Sequence, residues 1–221
     1  MDPFSDPQAV AAYADGPPRL VPGFRDLQRM ALVLLSESMP GDGRLLVVGA
    51  GGGLELKVFA EARPGWRFDG VDPSAAMLDL ARRTLGPLAP RARLHRGTVD
   101  AAPDGPFDTA ISLLTLHFVP EAERLRTLRE IRRRLRPGGA LVVAHHSVPE
   151  AGRAAWLARF ADFAVASGVA PDRARAMREG VGAHLPFLTP ERDEALIREA
   201  GFSDVALFYA AFTFRGWLAR A

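Results

Sequence analysis

Two groups of residues in this 221-residue chain have types and spacings that can do chemistry. The first is Arg44-Leu-Leu-Val-Val-Gly-Ala-Gly-Gly-Gly-Leu54, where a run of β-formers ends in glycines at 49, 51 and 53 and a helical pattern follows from Glu55. Strand, glycine turn and helix in that order bring bare backbone and a helix N-terminus to a ligand. Asp72 lies 23 residues after Gly49 and ends the next apolar run, Arg67-Phe-Asp-Gly-Val-Asp-Pro-Ser74. That is near the ~20 residues at which a carboxylate grips a ribose diol. Together they predict a nucleoside site in which the amides of residues 49–51 face the ligand and Asp72 holds its sugar. Glycines alone could equally mark a tight turn that needs positive φ. The second group is histidine: His117 after one strand, His145 and His146 after another. Imidazole titrates near neutrality and can take a proton from a nucleophile or orient it. All three are candidate catalytic bases, set against the competing reading of a packed structural histidine. Adjacent strand residues point to opposite faces, which weighs against a three-histidine metal, and no metal is expected.

The remaining pattern supplies elements to position these groups. A short helix over 7–15 is stopped by Gly16-Pro-Pro18, and Phe24–Met39 has helical apolar spacing closed by Pro40-Gly-Asp-Gly43. Strands are expected near 44–48, 67–72, 91–96, 107–114 and 140–144, the last after a turn at Pro137-Gly-Gly139, with helices from Ser74 to Leu85 and over 121–136. Residues 150 to about 182 read as helical, Thr189 caps a helix running from Pro190 to Ala200, and 204–209 and 211–219 read as two closing antiparallel strands. Alternating strands and helices predict an α/β fold with a parallel sheet and its ligands outside the strand carboxyl ends. One domain over 1–221 is expected, with an N-terminal helical cap (1–43) and a helical lid or insert (150–186). The lid carries Trp156, Phe160, Phe163, Met177, His184 and Phe187, mostly as core, some as an apolar acceptor pocket.

Composition narrows the partners. The net charge is only +2, from 28 Lys+Arg against 26 Asp+Glu, so a large nucleic-acid surface is not favoured. The arginines of 121–136 mostly solvate the outer face of a helix whose inner face is Leu125, Leu128, Ile131 and Leu135. With no cysteine there is no disulfide, catalytic thiol or zinc-thiolate site. No apolar run approaches ~20 residues, so no membrane span is expected, and a cytoplasmic monomer or homodimer is the default.

The G-x-G-x-G spacing, with Leu54 where a dinucleotide site has its third glycine, resembles motif I of class I S-adenosylmethionine (SAM) methyltransferases. Asp72, Phe107-Asp108 and Leu135-Arg-Pro-Gly-Gly-Ala-Leu-Val-Val143 extend that similarity in order. The resemblance implies a Rossmann-like seven-stranded sheet with helices on both faces and SAM as cofactor. It places Gly49, Ala50, Gly51, Asp72 and Pro73 against the cofactor, Thr98 and Val99 near its adenine, and Leu113 closing the site. Arg19-Leu-Val-Pro-Gly-Phe24, Leu114-Thr-Leu-His-Phe118 and Glu199-Ala-Gly-Phe202 resemble the carboxy-SAM synthase branch, which serves wobble-uridine modification of tRNA. From that likeness Phe24 and Arg19 become cofactor candidates in the cap. The branch's ligand residues are replaced here by Phe24 (a tyrosine), Thr98 (an aspartate), Leu113 (an asparagine) and Leu196 (the arginine that reads the extra carboxylate). A buried carboxylate without such a partner costs several kcal/mol, so ordinary SAM is the expected ligand. Val47 stands where the wider family commonly has an acidic residue. The expected function is methylation of a small molecule by in-line transfer. A carboxy-SAM synthase-like enzyme and a non-catalytic SAM-binding homologue are the alternatives.

Overall fold

The computed structural model describes Val10 and residues 13–221. Seven strands form one sheet: β1 (Arg44–Val48), β2 (Arg67–Asp72), β3 (Ala92–Arg96), β4 (Phe107–Leu113), β5 (Leu135–His146), β6 (Ser203–Ala211) and β7 (Phe214–Arg220). Their order across the sheet is β3-β2-β1-β4-β5-β7-β6. The first five strands are parallel, and β7 runs antiparallel to both β5 and β6. This is the expected seven-stranded class I methyltransferase architecture. Strand order reverses between β1 and β4, and an open α/β sheet offers its ligand crevice at such a switch point, beyond the strand carboxyl ends.

Alternation along the strands divides the core. Leu45 and Val47 of β1 pack on one face, with Leu27 and Leu35 of α2 (Phe24–Ser36, after the short α1 Pro17–Leu20) and Leu56 and Phe59 of α3 (Leu54–Ala62). Leu46 and Val48 pack on the other, with Leu128 and Ile131 of α5 (Glu121–Arg134), Leu196 and Ile197 of α8 (Pro190–Glu199), and Trp217 of β7. Between these come α4 (Ala75–Leu85), α6 (Arg153–Ala166) and α7 (Pro171–His184), the last two filling the expected insert. Local chemistry fixes the starts: Ser74 Oγ accepts from Met77 N at the head of α4, and Thr189 Oγ1 from Arg192 N at the head of α8.

Four expectations change. Most of the helix read over 7–15 lies outside the described residues, and Tyr13–Asp15 form a single 3-10 turn. Gly16 does end that turn, but Pro17 and Pro18 also open the helical turn α1, because proline suits a first helical position, where no amide is needed. Pro137-Gly-Gly139 is not a turn ahead of the fifth strand but a bulge inside it. Register with β4 jumps from Phe107↔Leu135 to Thr109↔Ala140, and a Cβ on Gly139 would meet the Asp108 carbonyl at 2.8 Å. His145 and His146 do not follow that strand; they are its last two residues, opposite Arg215 and Phe214 of β7.

Candidate active site

The glycine turn is built from hydrogen bonds to β2. Gly49 N and Ala50 N both donate to the Val71 carbonyl at 2.9 Å, and Gly53 N donates back to the Ala50 carbonyl. Gly51 N donates to Asp72 Oδ2 at 2.9 Å, while Asp72 Oδ1 accepts from Ser74 N at 2.9 Å. The expectation that the amides of 49–51 face a ligand is therefore corrected: all three are engaged within the protein. What the turn presents is bare Cα surface. Positive φ at Gly49, Gly51 and Gly53 (80°, 47° and 77°) is what lets it coil so tightly. Asp72, held from both sides by backbone, lines the crevice at the carboxyl end of β2.

A cavity of about 1090 Å³ opens here, lined by Gly49, Gly51, Asp72, Pro73, Thr98 and Val99 among others. Four other cofactor candidates are not on its wall. Ala50 is buried against β2, close enough that a Cβ on Gly70 would meet its own at 2.9 Å. Leu113 points into the core with Ile111, as strand alternation requires, so the lining residue is its neighbour Leu114. Phe24 is buried at the start of α2, and Arg19 is exposed on α1. Leu114 carries a left-handed φ of 57°, a conformation that costs a non-glycine residue about 1–3 kcal/mol and clusters at functional sites.

Sequence reasoning missed several lining groups. Tyr13 folds over the turn, its ring 2.8 Å from where a Gly52 Cβ would stand; nothing in the local sequence connects the two. Phe118 also lines the cavity and is 47% exposed, and its place beside His117 was a usable signal. Arg126 and Glu123 of α5 form part of the wall and pair with each other at 2.9 Å, Arg126 also reaching Asp100. Of the lid residues named from the sequence, His184, at the end of α7, does face the same space.

The three candidate bases sit behind this wall, not on it. His117, His145 and His146 are buried together, the His117 and His146 ring centroids 4.9 Å apart. His146 stacks on Phe214 at 4.0 Å, and its Nδ1 meets Thr213 Oγ1 at 2.9 Å. His117 Nδ1 accepts from the His146 amide at 3.3 Å. Burial, then the neighbouring imidazoles, holds His117 well below its ordinary range and pushes His146 down to about 3. His145 Nε2 lies 3.2 Å from Asp193 Oδ1, which Arg124 Nη1 approaches at 2.5 Å. Arg124 and Arg134 also depart from the solvated face expected for that helix: both are buried. Arg124 Nη2 reaches the carbonyls of Val119 and Pro186, tying the loop after β4 to the chain after α7. Among the described residues no cluster of His, Asp or Glu could hold a metal ion.

Residues 45–139 match the methyltransferase-domain family. The carboxy-S-adenosyl-L-methionine synthase of Chromohalobacter salexigens is 26% identical over 97% of this chain and 82% of its own length. Over residues 45–139, which hold the glycine turn, Asp72 and β4, the chain is similar to the class I methyltransferases. Trans-aconitate 2-methyltransferase of Streptomyces avermitilis is 33% identical over 63% of this chain, which spans 49% of that relative. Two solved structures share the methyltransferase fold. An O-methyltransferase family protein from Burkholderia thailandensis aligns with a TM-score of 0.71 at 15% identity, over 97% of this chain and 60% of that one. Human N-acetylserotonin methyltransferase in complex with SAM gives 0.67 at 17%, over 97% and 56%. The chain thus spans less than two thirds of these last three proteins.

Within a methyltransferase motif I, the position of Val47 is wholly apolar here: its side chain is buried in the core beside Leu45 and Ile111. A carboxyl does stand nearby, on Glu55 in the first turn of α3. It is buried, and that burial, aided by the Asp72 charge, pushes it up to about 8. Tyr13 is raised for the same reasons, by burial first and then by Glu55 and Asp72. Three acidic groups therefore lie close together at the glycine turn, with Asp72 held by the amides of Gly51 and Ser74.

Proposed function

We propose that this methyltransferase transfers the methyl group of SAM to a small-molecule acceptor, within one unit over 1–221 whose cap (1–43) and insert (150–186) flank the crevice. The observation that carries this is the Asp72 carboxylate at the carboxyl end of β2, oriented by Gly51 N and Ser74 N beside the glycine turn. Carboxylate oxygens each accept more than one hydrogen bond, so Asp72 would take the ribose hydroxyls while Gly49 and Gly51 let the nucleoside approach the backbone. Thr98 and Val99 would flank the adenine. SAM supplies an activated methyl on a sulfonium. The protein's part is alignment and exclusion of water, which the apolar wall of Leu114, Leu116, Phe118, Val119 and Leu185 favours. A volume of about 1090 Å³ is at the upper end for small-molecule sites, consistent with a cofactor and a second small reactant together.

Synthesis of carboxy-SAM is the second reading, since that relative matches nearly the whole chain. Against it stands Leu196, buried in the core and not on the cavity wall, in place of a carboxylate-reading arginine. A cofactor-binding protein without catalysis is the third, motivated by Val47. No described helix is long and apolar enough to cross a membrane, and a cytoplasmic monomer or homodimer acting without nucleic acid is our reading.

Calorimetry decides among these. SAM and S-adenosylhomocysteine (SAH) should bind, carboxy-SAM should bind no tighter, and Asp72→Ala should weaken SAM at least about 100-fold, the equivalent of about 2.7 kcal/mol. Preferential binding of carboxy-SAM, or an Asp72→Ala affinity within threefold of wild type, overturns the assignment.

A further inference from the structure

The three buried histidines leave the cavity without the base that the sequence suggested, but a fourth histidine faces it. We infer that His184 takes the proton from an aromatic hydroxyl acceptor, a step that rests on the function proposed above. His184 ends α7 and lines the same cavity as Asp72 and Gly49. Its Nδ1 lies 2.9 Å from the Gly180 carbonyl, one turn back. A carbonyl only accepts, so Nδ1 carries the hydrogen, and the neutral ring must present Nε2 as a lone pair. That is the form a general base needs. The last turn of a helix is also the end that accommodates a cation, and an imidazolium forms there when the proton arrives. His184 is exposed rather than buried, so unlike His117, His145 and His146 it can meet a second reactant.

The acceptor class follows from the rest of the wall. Phe118 and Leu185 share it with Leu114, Leu116 and Val119, an apolar lining against which a flat ring packs well. Charged groups on the wall are Asp72 and Arg96 at the sheet edge and Glu123 and Arg126 on α5, the last two paired with each other. No other imidazole is on it. In the step itself, the acceptor oxygen forms its bond to the methyl carbon as the sulfur–carbon bond of the sulfonium breaks, both electrons staying on sulfur. The hydroxyl proton moves to His184 Nε2, and thioether, methyl ether and imidazolium result.

The test uses the full chain loaded with SAH and 4-nitrophenol as probe, because its phenolate is coloured. Wild type should raise the phenolate fraction of bound probe above that of free probe at the same pH. His184→Gln should lose this rise while holding SAH within twofold. With SAM, methyl transfer to phenol, which stays protonated at neutral pH, should fall on the order of 10²–10⁴-fold in His184→Gln, the usual contribution of a general base. Transfer to benzoate, already ionised and needing no base, should fall less than about threefold. Equal losses on phenol and benzoate, an unchanged rate with phenol, or no binding of 4-nitrophenol to the SAH complex each overturn the proposal. Failure of wild type to bind SAH would remove the underlying function, and this step with it.

Discussion

Arg124 Nη1 and Asp193 Oδ1 meet at 2.5 Å with both side chains only 1% exposed, joining α5 to α8 beneath the cavity. Burial alone would raise the Asp193 carboxyl, but the His145 ring and the Arg124 guanidinium outweigh it and hold it below the ordinary carboxylate range. The same guanidinium holds the Val119 and Pro186 carbonyls, so the pair also fixes two segments of the cavity rim.

Removing one partner leaves the other as an uncompensated buried charge. Asp193→Leu should cost about 3–5 kcal/mol, whereas the double replacement Arg124→Met with Asp193→Leu should cost far less than the sum of those two single changes. Urea denaturation of the four proteins in the cycle measures this. Additive losses would show that the two side chains do not act as a pair.

Glu55 makes stability depend on pH in a defined direction. Its carboxyl is raised from 4.5 when unfolded to about 8 when folded, so between those values the folded protein binds the extra proton. Stability must therefore fall as pH rises from about 4.5 to 8, with the full loss, on the order of a few kcal/mol, present above 8. Glu55→Gln should abolish this slope and be the more stable protein at pH 9. Thermal melts across that window test it, and a wild-type curve as flat as the variant's would contradict it.

Glycines in the turn and glycines in helices should respond oppositely to alanine. At Gly53, φ is 77° and a Cβ would stand 2.9 Å from the Ala81 Cα, a backbone atom that cannot swing away. Gly53→Ala should therefore lose at least about 2 kcal/mol. Gly180 lies inside α7 with nothing within 4 Å of a new Cβ. Gly180→Ala should gain about 0.5–1 kcal/mol. Denaturation midpoints of the two variants should move apart, and a shift in the same direction would refute the distinction.

The sheet was legible because its signals are local. Strand runs, glycine punctuation and caps at Ser74 and Thr189 fix elements over a few residues, and the order of elements then restricts the topology. Asp72 was legible for the same reason: it is the last residue of its strand, and its partners Gly51 and Ser74 lie in the two turns that the sequence marks. The acceptor side was not. Tyr13 reaches the turn from the far N-terminal segment, His184 from the insert, and neither contact has a counterpart in spacing. Periodicity also could not distinguish a cavity-facing histidine from a packed one. His145 and His146 alternate as strand residues should, but Phe160 of α6 packs on the second and Asp193 of α8 meets the first. Arg124 illustrates the reverse error, because a charged residue on an arginine-rich helix looks solvated until its partner Asp193 arrives from 69 positions away.

The floor beneath the nucleoside has a mechanical consequence. Gly49, Ala50 and Gly51 all have their amides tied to β2 and its terminal carboxylate, so no N–H in that stretch has a bond to exchange when a guest enters or leaves. It works as a fixed mould, reading contour and unable to report whether the seat is taken. Substrate and spent product are alike to it, and any motion that tells one from the other must originate on the opposite wall, among Tyr13, Phe118 and the end of α7.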